Sequence, residues 1–304
     1  MAHIQKSSPD FIKPSPKELP ENLCMICGGP SLKFSTDYYY CNECDYWYSS
    51  LPLDIENTSA PESEYELVSY EHTRASNYKR ILNELLKMHP PGSRLLEIGC
   101  ADGLFLKLAQ VENKYSVLGI EPNSKMMANN PYEQPIESGY FPDVLDDKAD
   151  TFDIIVLNCV FEHVPTPRDL IDSFKKHLKQ AGTIVINVPV STGLMFPLSK
   201  LLSRIGITYP FNRLWQKDFV SPHVHFFSKR SISKLFQGHG LNLIRNSPLS
   251  IFSLGGIYAR LSIDPNSRMI QKLIIVALLY CYYPIASLFP DSRVFFFKKG
   301  TDII

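Results

Sequence analysis

Two glycines and a distant glutamate are spaced to bind a nucleoside cofactor. Residues 95–103 read Leu-Leu-Glu-Ile-Gly-Cys-Ala-Asp-Gly, an apolar strand that runs into a turn bounded by Gly99 and Gly103. Glycine lets the backbone bend sharply and approach a ligand closely, because no Cβ blocks it. Glu121 ends the next apolar run, where its carboxylate can accept hydrogen bonds from both ribose hydroxyls. The pattern predicts a site for the adenosine half of a cofactor.

The charges around this turn favour one adenosine cofactor over another. A dinucleotide site places three glycines as G-x-G-x-x-G, which seat a pyrophosphate on a helix N-terminus. This turn carries Ala101 between its two glycines, and Glu97 lies two residues before the first of them. A carboxylate repels a pyrophosphate but attracts a sulfonium and an α-amino group. We therefore expect Glu97 or Asp102 to face S-adenosylmethionine rather than a dinucleotide.

Strands and helices that alternate along the chain must position this turn. Such alternation predicts an α/β fold, with a parallel sheet covered by helices on both faces. A helix from about residue 71, ended by Pro90 and Pro91, precedes the sheet. The predicted strands are Arg94–Ile98, Val117–Ile120, 134–136, Ile154–Asn158, Thr183–Val188, Leu241–Ile244 and Arg293–Lys298.

Four segments together carry a family resemblance. They read Glu-Ile-Gly-Cys-Ala-Asp-Gly, Gly-Ile-Glu-Pro, Phe-Asp-Ile-Ile-Val-Leu-Asn-Cys-Val-Phe-Glu-His-Val and His-Val-His-Phe-Phe-Ser. Over residues 73–300 the chain resembles class I S-adenosylmethionine methyltransferases, in particular the small-molecule group that includes ubiquinone-biosynthesis and sugar methyltransferases. The resemblance implies a Rossmann-like, seven-stranded, mostly parallel sheet of order 3-2-1-4-5-7-6. It also implies that the cofactor is bound by Glu97, Gly99, Ala101, Gly103, Glu121 and Asn158.

In this fold the loop after the fourth strand faces both the cofactor and the acceptor. That loop reads Asn-Cys-Val-Phe-Glu-His-Val over residues 158–164. Histidine titrates near neutral pH, so His163 is the candidate general base and Glu162 the residue that orients it. The competing interpretation is that both residues only bind the cofactor or cap the following helix.

Four further residues are candidates for contact with the acceptor. His223 and His225 precede the helix that leads to strand six, in a segment that closes over the acceptor in relatives. Two histidines at i and i+2 also indicate a metal, but the sequence shows no third ligand. Arg74 and Tyr78 resemble residues of an N-terminal helix that covers the methionine end of the cofactor.

Four cysteines near the N-terminus have zinc-ribbon spacing. Cys24 and Cys27 form one C-x2-C pair, and Cys41 and Cys44 form a second pair after thirteen intervening residues. Four thiolates close a tetrahedral structural Zn²⁺ site that leaves no position open for catalysis. A segment this short buries little apolar surface, so we expect the metal to supply most of its folding free energy.

Composition along the chain predicts its organisation. We expect a disordered tail at 1–22, the zinc ribbon at 23–50, a linker at 51–70 and the methyltransferase domain at 71–304. Residues 191–222, between the fifth strand and the paired histidines, read as a substrate lid. Residues 268–290 read as an apolar helix, whose almost continuously apolar stretch, 273–289, contains Pro284 and is shorter than the roughly 20 residues that span a bilayer. That helix is either buried or lies at a membrane surface.

The zero net charge hides an asymmetry between the two ends of the chain. Residues 1–71 carry 4 basic against 12 acidic side chains, whereas residues 168–304 carry 18 against 6. The acidic ribbon would repel nucleic acid, so we expect no such partner. The basic part suits a phosphate-bearing acceptor or an anionic membrane surface contacted through 268–299, although a plain solvated surface explains it equally well. Without a signal peptide, we expect a cytoplasmic protein, with contact to the inner face of the membrane as an option.

The leading hypothesis is methylation of a sugar, a sugar nucleotide or a lipid-linked saccharide, because a ribbon before this domain resembles the arrangement in sugar-nucleotide methyltransferases. The alternatives are a zinc-ribbon RNA methyltransferase, a membrane-associated quinone or lipid O-methyltransferase, and an inactive scaffold. The acidic ribbon and the lack of an Asn/Asp-Pro-Pro-aromatic motif disfavour RNA. The intact Glu97, Glu121 and His163 disfavour the scaffold.

Overall fold

The computed structural model describes residues 23–52, 64–128, 131–145, 151–219, 221–250 and 288–300. The predicted tail at 1–22 and residues 268–287 of the predicted apolar helix lie outside these ranges. Within the described ranges, every helix is too short or too polar to span a bilayer.

Eleven strands and seven α-helices make up the described part of the chain. In chain order they are β1 Leu32–Lys33, β2 Tyr38–Cys41, β3 Tyr46–Ser49, α1 Glu64–Leu86, β4 Arg94–Ile98, α2 Leu104–Asn113, β5 Ser116–Glu121, α3 Ser124–Ala128, β6 Ile136–Ser138, β7 Phe152–Asn158, α4 Pro167–His177, β8 Leu178–Pro189, α5 Met195–Arg204, α6 Tyr209–Leu214, β9 His225–Phe226, α7 Lys229–Gln237, β10 Leu241–Leu249 and β11 Ser292–Lys299; a short 3-10 helix covers Phe161–His163.

Seven strands form the main sheet, in the order β10-β11-β8-β7-β4-β5-β6. The five strands from β8 to β6 are parallel, and β11 inserts antiparallel between β8 and β10. Numbered within this sheet alone, the order is 3-2-1-4-5-7-6, so the predicted α/β Rossmann-like fold is confirmed. The strands match the predicted ones, although the third begins at Ile136 rather than at residue 134.

The central strands are buried on both faces, which explains their continuous apolar sequence. Leu95 and Leu96 in β4, and Ile154 and Ile155 in β7, are fully buried. Helices α1 and α2 cover one face together, where Leu82 packs in the same apolar cluster as β4. The carboxyl ends of β4, β5 and β7 therefore meet at one edge of the sheet, where ligands bind in this class of fold.

The first helix begins earlier than its sequence predicts. We expected it from about residue 71, after a linker at 51–70, but α1 begins at Glu64. The seven additional residues contain neither proline nor glycine, the last proline being Pro61, so nothing in their sequence opposes a helix.

The four cysteines belong to a small sheet that the methyltransferase domain completes. Its order is β1-β2-β3-β9, and β9 lies more than 170 residues after β3 in the sequence. The pairing is antiparallel, with Trp47 opposite Phe226 and Tyr48 opposite His225. The ribbon and the domain therefore share backbone hydrogen bonds as well as side-chain packing.

Helices α5 and α6, within the predicted lid, pack on this small sheet. Tyr38 stacks on Trp215 with ring centroids 5.0 Å apart, and its hydroxyl donates to Asn212 Oδ1 at 3.0 Å. Lys217 pairs with Asp37 at 2.9 Å. The aromatic cluster between lid and ribbon consists of Tyr38, Trp47, Phe196, Phe211, Trp215 and Phe226.

Candidate active site

The glycine turn after β4 closes against the loop that follows β7. Gly99 has a φ of +69°, a left-handed conformation that favours glycine. A Cβ at this position would lie 2.5 Å from Cγ2 of Val160, so a side chain here would collide with the neighbouring loop. Gly103, with a φ of +79°, caps α2. Two of the predicted cofactor residues are thus required by backbone geometry as well as by approach to a ligand.

Glu121 at the end of β5 holds the backbone of the turn. Its Oε2 accepts from the Ala101 amide at 2.9 Å, and its Oε1 accepts from the Asn123 amide at 2.9 Å. Burial raises the pKa of this carboxyl, while the two amides oppose the shift. A carboxylate oxygen accepts more than one hydrogen bond, so both oxygens retain capacity for ribose hydroxyls.

Glu97 and Asn158 lie side by side at the ends of neighbouring strands. The Asn158 amide donates to Glu97 Oε1 at 2.8 Å, and Glu97 is only 2% exposed. Burial raises the pKa of Glu97 to about 8, and the Asn158 bond opposes this. Among the described residues, its Oε2 is buried without a hydrogen-bond partner. An unpaired buried carboxyl oxygen fits the amino group or the sulfonium of S-adenosylmethionine.

Arg74 and Tyr78 lie beside the glycine turn. The Arg74 guanidinium binds Asp102 through both nitrogens, at 2.6 and 3.0 Å, and its Nε lies 3.4 Å from the Tyr78 hydroxyl. This ion pair neutralises Asp102, which leaves Glu97 as the acidic group of the turn that can meet a cationic ligand. The structure therefore places Arg74 and Tyr78 with the cofactor turn rather than with the acceptor loop.

His163, Glu162 and His223 converge in the acceptor loop. One nitrogen or oxygen of each lies within 4.8 Å of the others, and the two imidazole rings are 4.8 Å apart. The sequence showed no further ligand beside His223 and His225, whereas the structure brings His223 together with His163 and Glu162. These are ligand types that could hold a metal ion or surround an acceptor hydroxyl.

The environment of these three side chains keeps them uncharged. Burial lowers the pKa of His163 and lowers that of His223 to about 3, and burial raises the pKa of Glu162 to about 8. His163 Nδ1 lies 3.0 Å from the Pro222 carbonyl, and His223 Nδ1 lies 2.7 Å from the Leu214 carbonyl. Since a carbonyl only accepts, both Nδ1 atoms carry the proton, and both Nε2 atoms hold a lone pair.

His225 does not join this group, contrary to its prediction as an acceptor contact. Its Nε2 donates to the Val164 carbonyl at 2.8 Å, and its Nδ1 lies 2.6 Å from the Tyr46 hydroxyl. Both ring nitrogens are used and the side chain is 3% exposed, so nothing remains to bind an acceptor. Sequence reasoning missed Tyr46, because no local signal connects residues 179 positions apart.

The four ribbon cysteines form one compact cluster. Their sulfurs all lie within 4.8 Å of one another, and the sulfurs of Cys27 and Cys41 are 3.7 Å apart. The amides of Ile26 and Gly29 donate to cysteine sulfurs at 3.4 Å. Four converging sulfurs with amide donors behind them fit a tetrahedral zinc ion.

The chain matches one family model over most of its catalytic part. The model describes a methyltransferase domain and covers residues 70–246, more than half of the chain. The chain belongs to this methyltransferase family. Its expected resemblance to class I S-adenosylmethionine-dependent methyltransferases is confirmed.

Curated relatives of this methyltransferase include ubiquinone biosynthesis O-methyltransferases. The protein of Xanthomonas axonopodis pv. citri is 24% identical over 143 residues, 45% of this chain and 60% of that protein. The protein of Caulobacter sp. strain K31 is 29% identical over 140 residues, 43% of this chain and 55% of that protein. The methyltransferase thus aligns with less than two thirds of the length of these relatives.

Solved structures share the fold of this methyltransferase. A cyclopropane synthase of Mycobacterium tuberculosis superposes with a TM-score of 0.53 at 17% identity, over 75% of this chain and 85% of that one. A Geobacter sulfurreducens methyltransferase, solved with S-adenosyl-L-homocysteine, superposes with a TM-score of 0.51 at 12% identity, over 78% and 98% of the two chains. At such identities the likeness establishes the fold alone.

Replacing Gly99 with alanine tests the closure of the turn. We expect Gly99→Ala to weaken S-adenosylmethionine binding at least tenfold, about 1.4 kcal/mol, because the new methyl collides with Val160. The matched control is Gly92→Ala, whose φ of +87° imposes similar strain in open space. Calorimetric titration of both variants decides, and equal affinities would show that the contact with Val160 is unimportant.

The raised pKa of Glu97 predicts proton release on cofactor binding. With a pKa of about 8, Glu97 is mostly protonated at pH 7 in the free protein. A cationic ligand favours the ionised form, so binding S-adenosylmethionine at pH 7 should release about one proton.

The proton release is measured by titration in buffers of different ionisation enthalpy. Glu97→Gln should abolish it, whereas Glu162→Gln, which removes a carboxyl of raised pKa in the acceptor loop, should leave it. Release that persists in Glu97→Gln would place the titrating group elsewhere.

Proposed function

We propose that this methyltransferase transfers a methyl group from S-adenosylmethionine to a hydroxyl oxygen of a small-molecule acceptor. The cofactor, when bound at the glycine turn, supplies an electrophilic methyl group. The acceptor oxygen would bond that methyl carbon as the carbon–sulfur bond breaks, which leaves the neutral thioether S-adenosyl-L-homocysteine, and the oxygen would lose its proton to Nε2 of His163. The observation that carries this proposal is the bond from His163 Nδ1 to the Pro222 carbonyl, which leaves Nε2 as the proton acceptor.

Glu162 and His223 support the base in this proposal. Glu162 is 1% exposed, and its Oε2 has no hydrogen-bond partner among the described residues. A hydroxyl that approached His163 would lie near this carboxyl and the His223 imidazole, because one nitrogen or oxygen of each of the three residues lies within 4.8 Å of the others. A hydroxyl acceptor is helped by such a base, because its proton becomes far more acidic as the oxygen bonds to the methyl carbon.

The acceptor that we favour is a sugar, a sugar nucleotide or a lipid-linked saccharide. This preference is based on the ribbon that precedes the domain. The basic residues of the lid support a phosphate-bearing acceptor less than the composition of the lid suggests. Lys217 is paired with Asp37, and Lys200 lies over the Trp47 ring at 5.3 Å, so both cations already contact the ribbon. A quinone precursor with a phenolic hydroxyl is the second candidate, because the curated relatives are ubiquinone O-methyltransferases.

Replacing His163 tests the proposed base. We expect His163→Ala to lower turnover by about 10²–10⁴ and to change S-adenosylmethionine affinity little, because the base acts on the acceptor. His239→Ala is the matched control, since that histidine instead pairs with Asp172 at 2.8 Å.

The assay offers labelled S-adenosylmethionine with nucleotide sugars and with catechols, and product mass and fragmentation identify the methylated atom. Unchanged turnover in His163→Ala would refute the base. Methylation of nitrogen or carbon would refute the hydroxyl acceptor, and methylation of the catechols alone would select the second candidate.

We also propose that the cysteine cluster holds one structural zinc ion, with the thiolates of Cys24, Cys27, Cys41 and Cys44 as its ligands. The convergence of the four sulfurs supports this. The cytoplasmic location that we expect keeps thiols reduced and available to metal.

Metal analysis of the purified chain should find one zinc per molecule, and Cys41→Ser should lose it. Cys100→Ser, which changes a buried cysteine outside the cluster, is the control. Protein that lacks zinc, or zinc retained in Cys41→Ser, would contradict the site.

A further inference from the structure

The segment 222–226 lies between the ribbon and the acceptor loop. It enters from the lid, where the His223 amide donates to the Trp215 carbonyl at 3.0 Å, and it ends in β9. On one side it contacts the loop that carries His163. On the other side it contacts β3 of the ribbon.

Three hydrogen bonds join this segment to the acceptor loop. They bracket His163, because they involve that residue and its two neighbours in sequence. The bonds are Val224 N to Glu162 O at 2.9 Å, His163 Nδ1 to Pro222 O at 3.0 Å, and His225 Nε2 to Val164 O at 2.8 Å.

Three further hydrogen bonds join the segment to the ribbon. The Ser49 amide donates to the Val224 carbonyl at 3.0 Å, and the Ser49 hydroxyl donates to the His223 carbonyl at 3.1 Å. The Tyr46 hydroxyl reaches His225 Nδ1 at 2.6 Å. Each of the three contacts a residue that is itself hydrogen-bonded to the acceptor loop or faces His163.

Tyr46 is the direct connection between the cysteine cluster and His225. It follows Cys44 by two residues, lies opposite Cys41 in the β2–β3 pair and is fully buried. Its ring stacks on Phe227 with centroids 5.5 Å apart. Because the Val164 carbonyl takes the Nε2 proton, a neutral His225 needs a donor at Nδ1, and the Tyr46 hydroxyl is that donor.

We infer that the ribbon is a positioning element of the active site, and that Tyr46 is the residue through which it fixes the ring of His225 and the loop of His163. The inference rests on the proposed role of His163. A single tautomer of each ring follows, because a backbone carbonyl fixes the proton on Nδ1 of His163 and another fixes it on Nε2 of His225.

The test uses the zinc-loaded full chain with its histidines labelled with ¹⁵N, read by NMR in the presence of S-adenosylmethionine. In the wild type, the rings of His163 and His225 should each report one tautomer. Tyr46→Phe should shift the His225 Nδ1 resonance, because that nitrogen loses its hydrogen-bond donor while the Val164 carbonyl still holds the proton on Nε2, and it should also shift the His163 signals. A substitution that merely lowers stability leaves the ring signals of the folded state unchanged.

Tyr48→Phe is the matched control. It removes a hydroxyl from the same strand, one that makes no hydrogen bond to the acceptor loop or to segment 222–226 among the described residues. Both variants should bind S-adenosylmethionine within threefold of the wild type, since the glycine turn is untouched. Identical spectra of Tyr46→Phe and wild type, or equal changes in Tyr46→Phe and Tyr48→Phe, would overturn the inference.

Ser49→Ala covers the case in which Tyr46→Phe does not fold. It removes only the hydroxyl bond to the His223 carbonyl, and it should shift the His223 and His163 signals while zinc is retained. An unshifted spectrum would count against the inference. Failure of the wild type to bind S-adenosylmethionine would instead count against the proposed function, and the comparison of ring signals can be made without the cofactor.

Discussion

The loop after β7 packs directly on the glycine turn after β4, and the active site depends on this contact. Val160 occupies the space that a side chain at Gly99 would need, and Asn158 donates to Glu97 beside it. Both contacts arise because parallel strands end at the same edge of a sheet. The glycine turn and the loop that carries His163 are therefore in direct contact.

The ribbon is joined to this region instead of standing apart from it. Its third strand pairs with β9, and the cores merge, since Cys41 and Tyr46 belong to the same apolar cluster as Phe227. An active site is held more precisely by strands than by mobile loops. The ribbon adds a strand beside segment 222–226, which gives this small cysteine-rich module a structural reason to precede the domain.

The sequence predicts the parts of this molecule that have local periodicity or a motif, and misses those that depend on distant pairing. The strands follow from apolar runs of the right length, and their order follows from the family resemblance alone. The cluster of His163 with Glu162 follows from adjacency. The separation of His225 from that cluster could not be predicted. Successive residues of a strand point to opposite faces, and only the pairing of β9 with β3 shows that His225 points towards Tyr46. The same pairing explains why lid residues such as Lys217 contact the ribbon.

The central claim is that Glu97, Glu121 and the turn between them hold the donor while His163 faces the acceptor. A crystal structure of the full chain grown with S-adenosyl-L-homocysteine tests it most directly. We expect the ribose hydroxyls to donate to Glu121, the amino group to contact Oε2 of Glu97, and the sulfur to face the loop of His163. Ligand bound elsewhere would contradict this expectation. So would the absence of bound ligand at about millimolar concentration, at which even a weak ligand occupies its site.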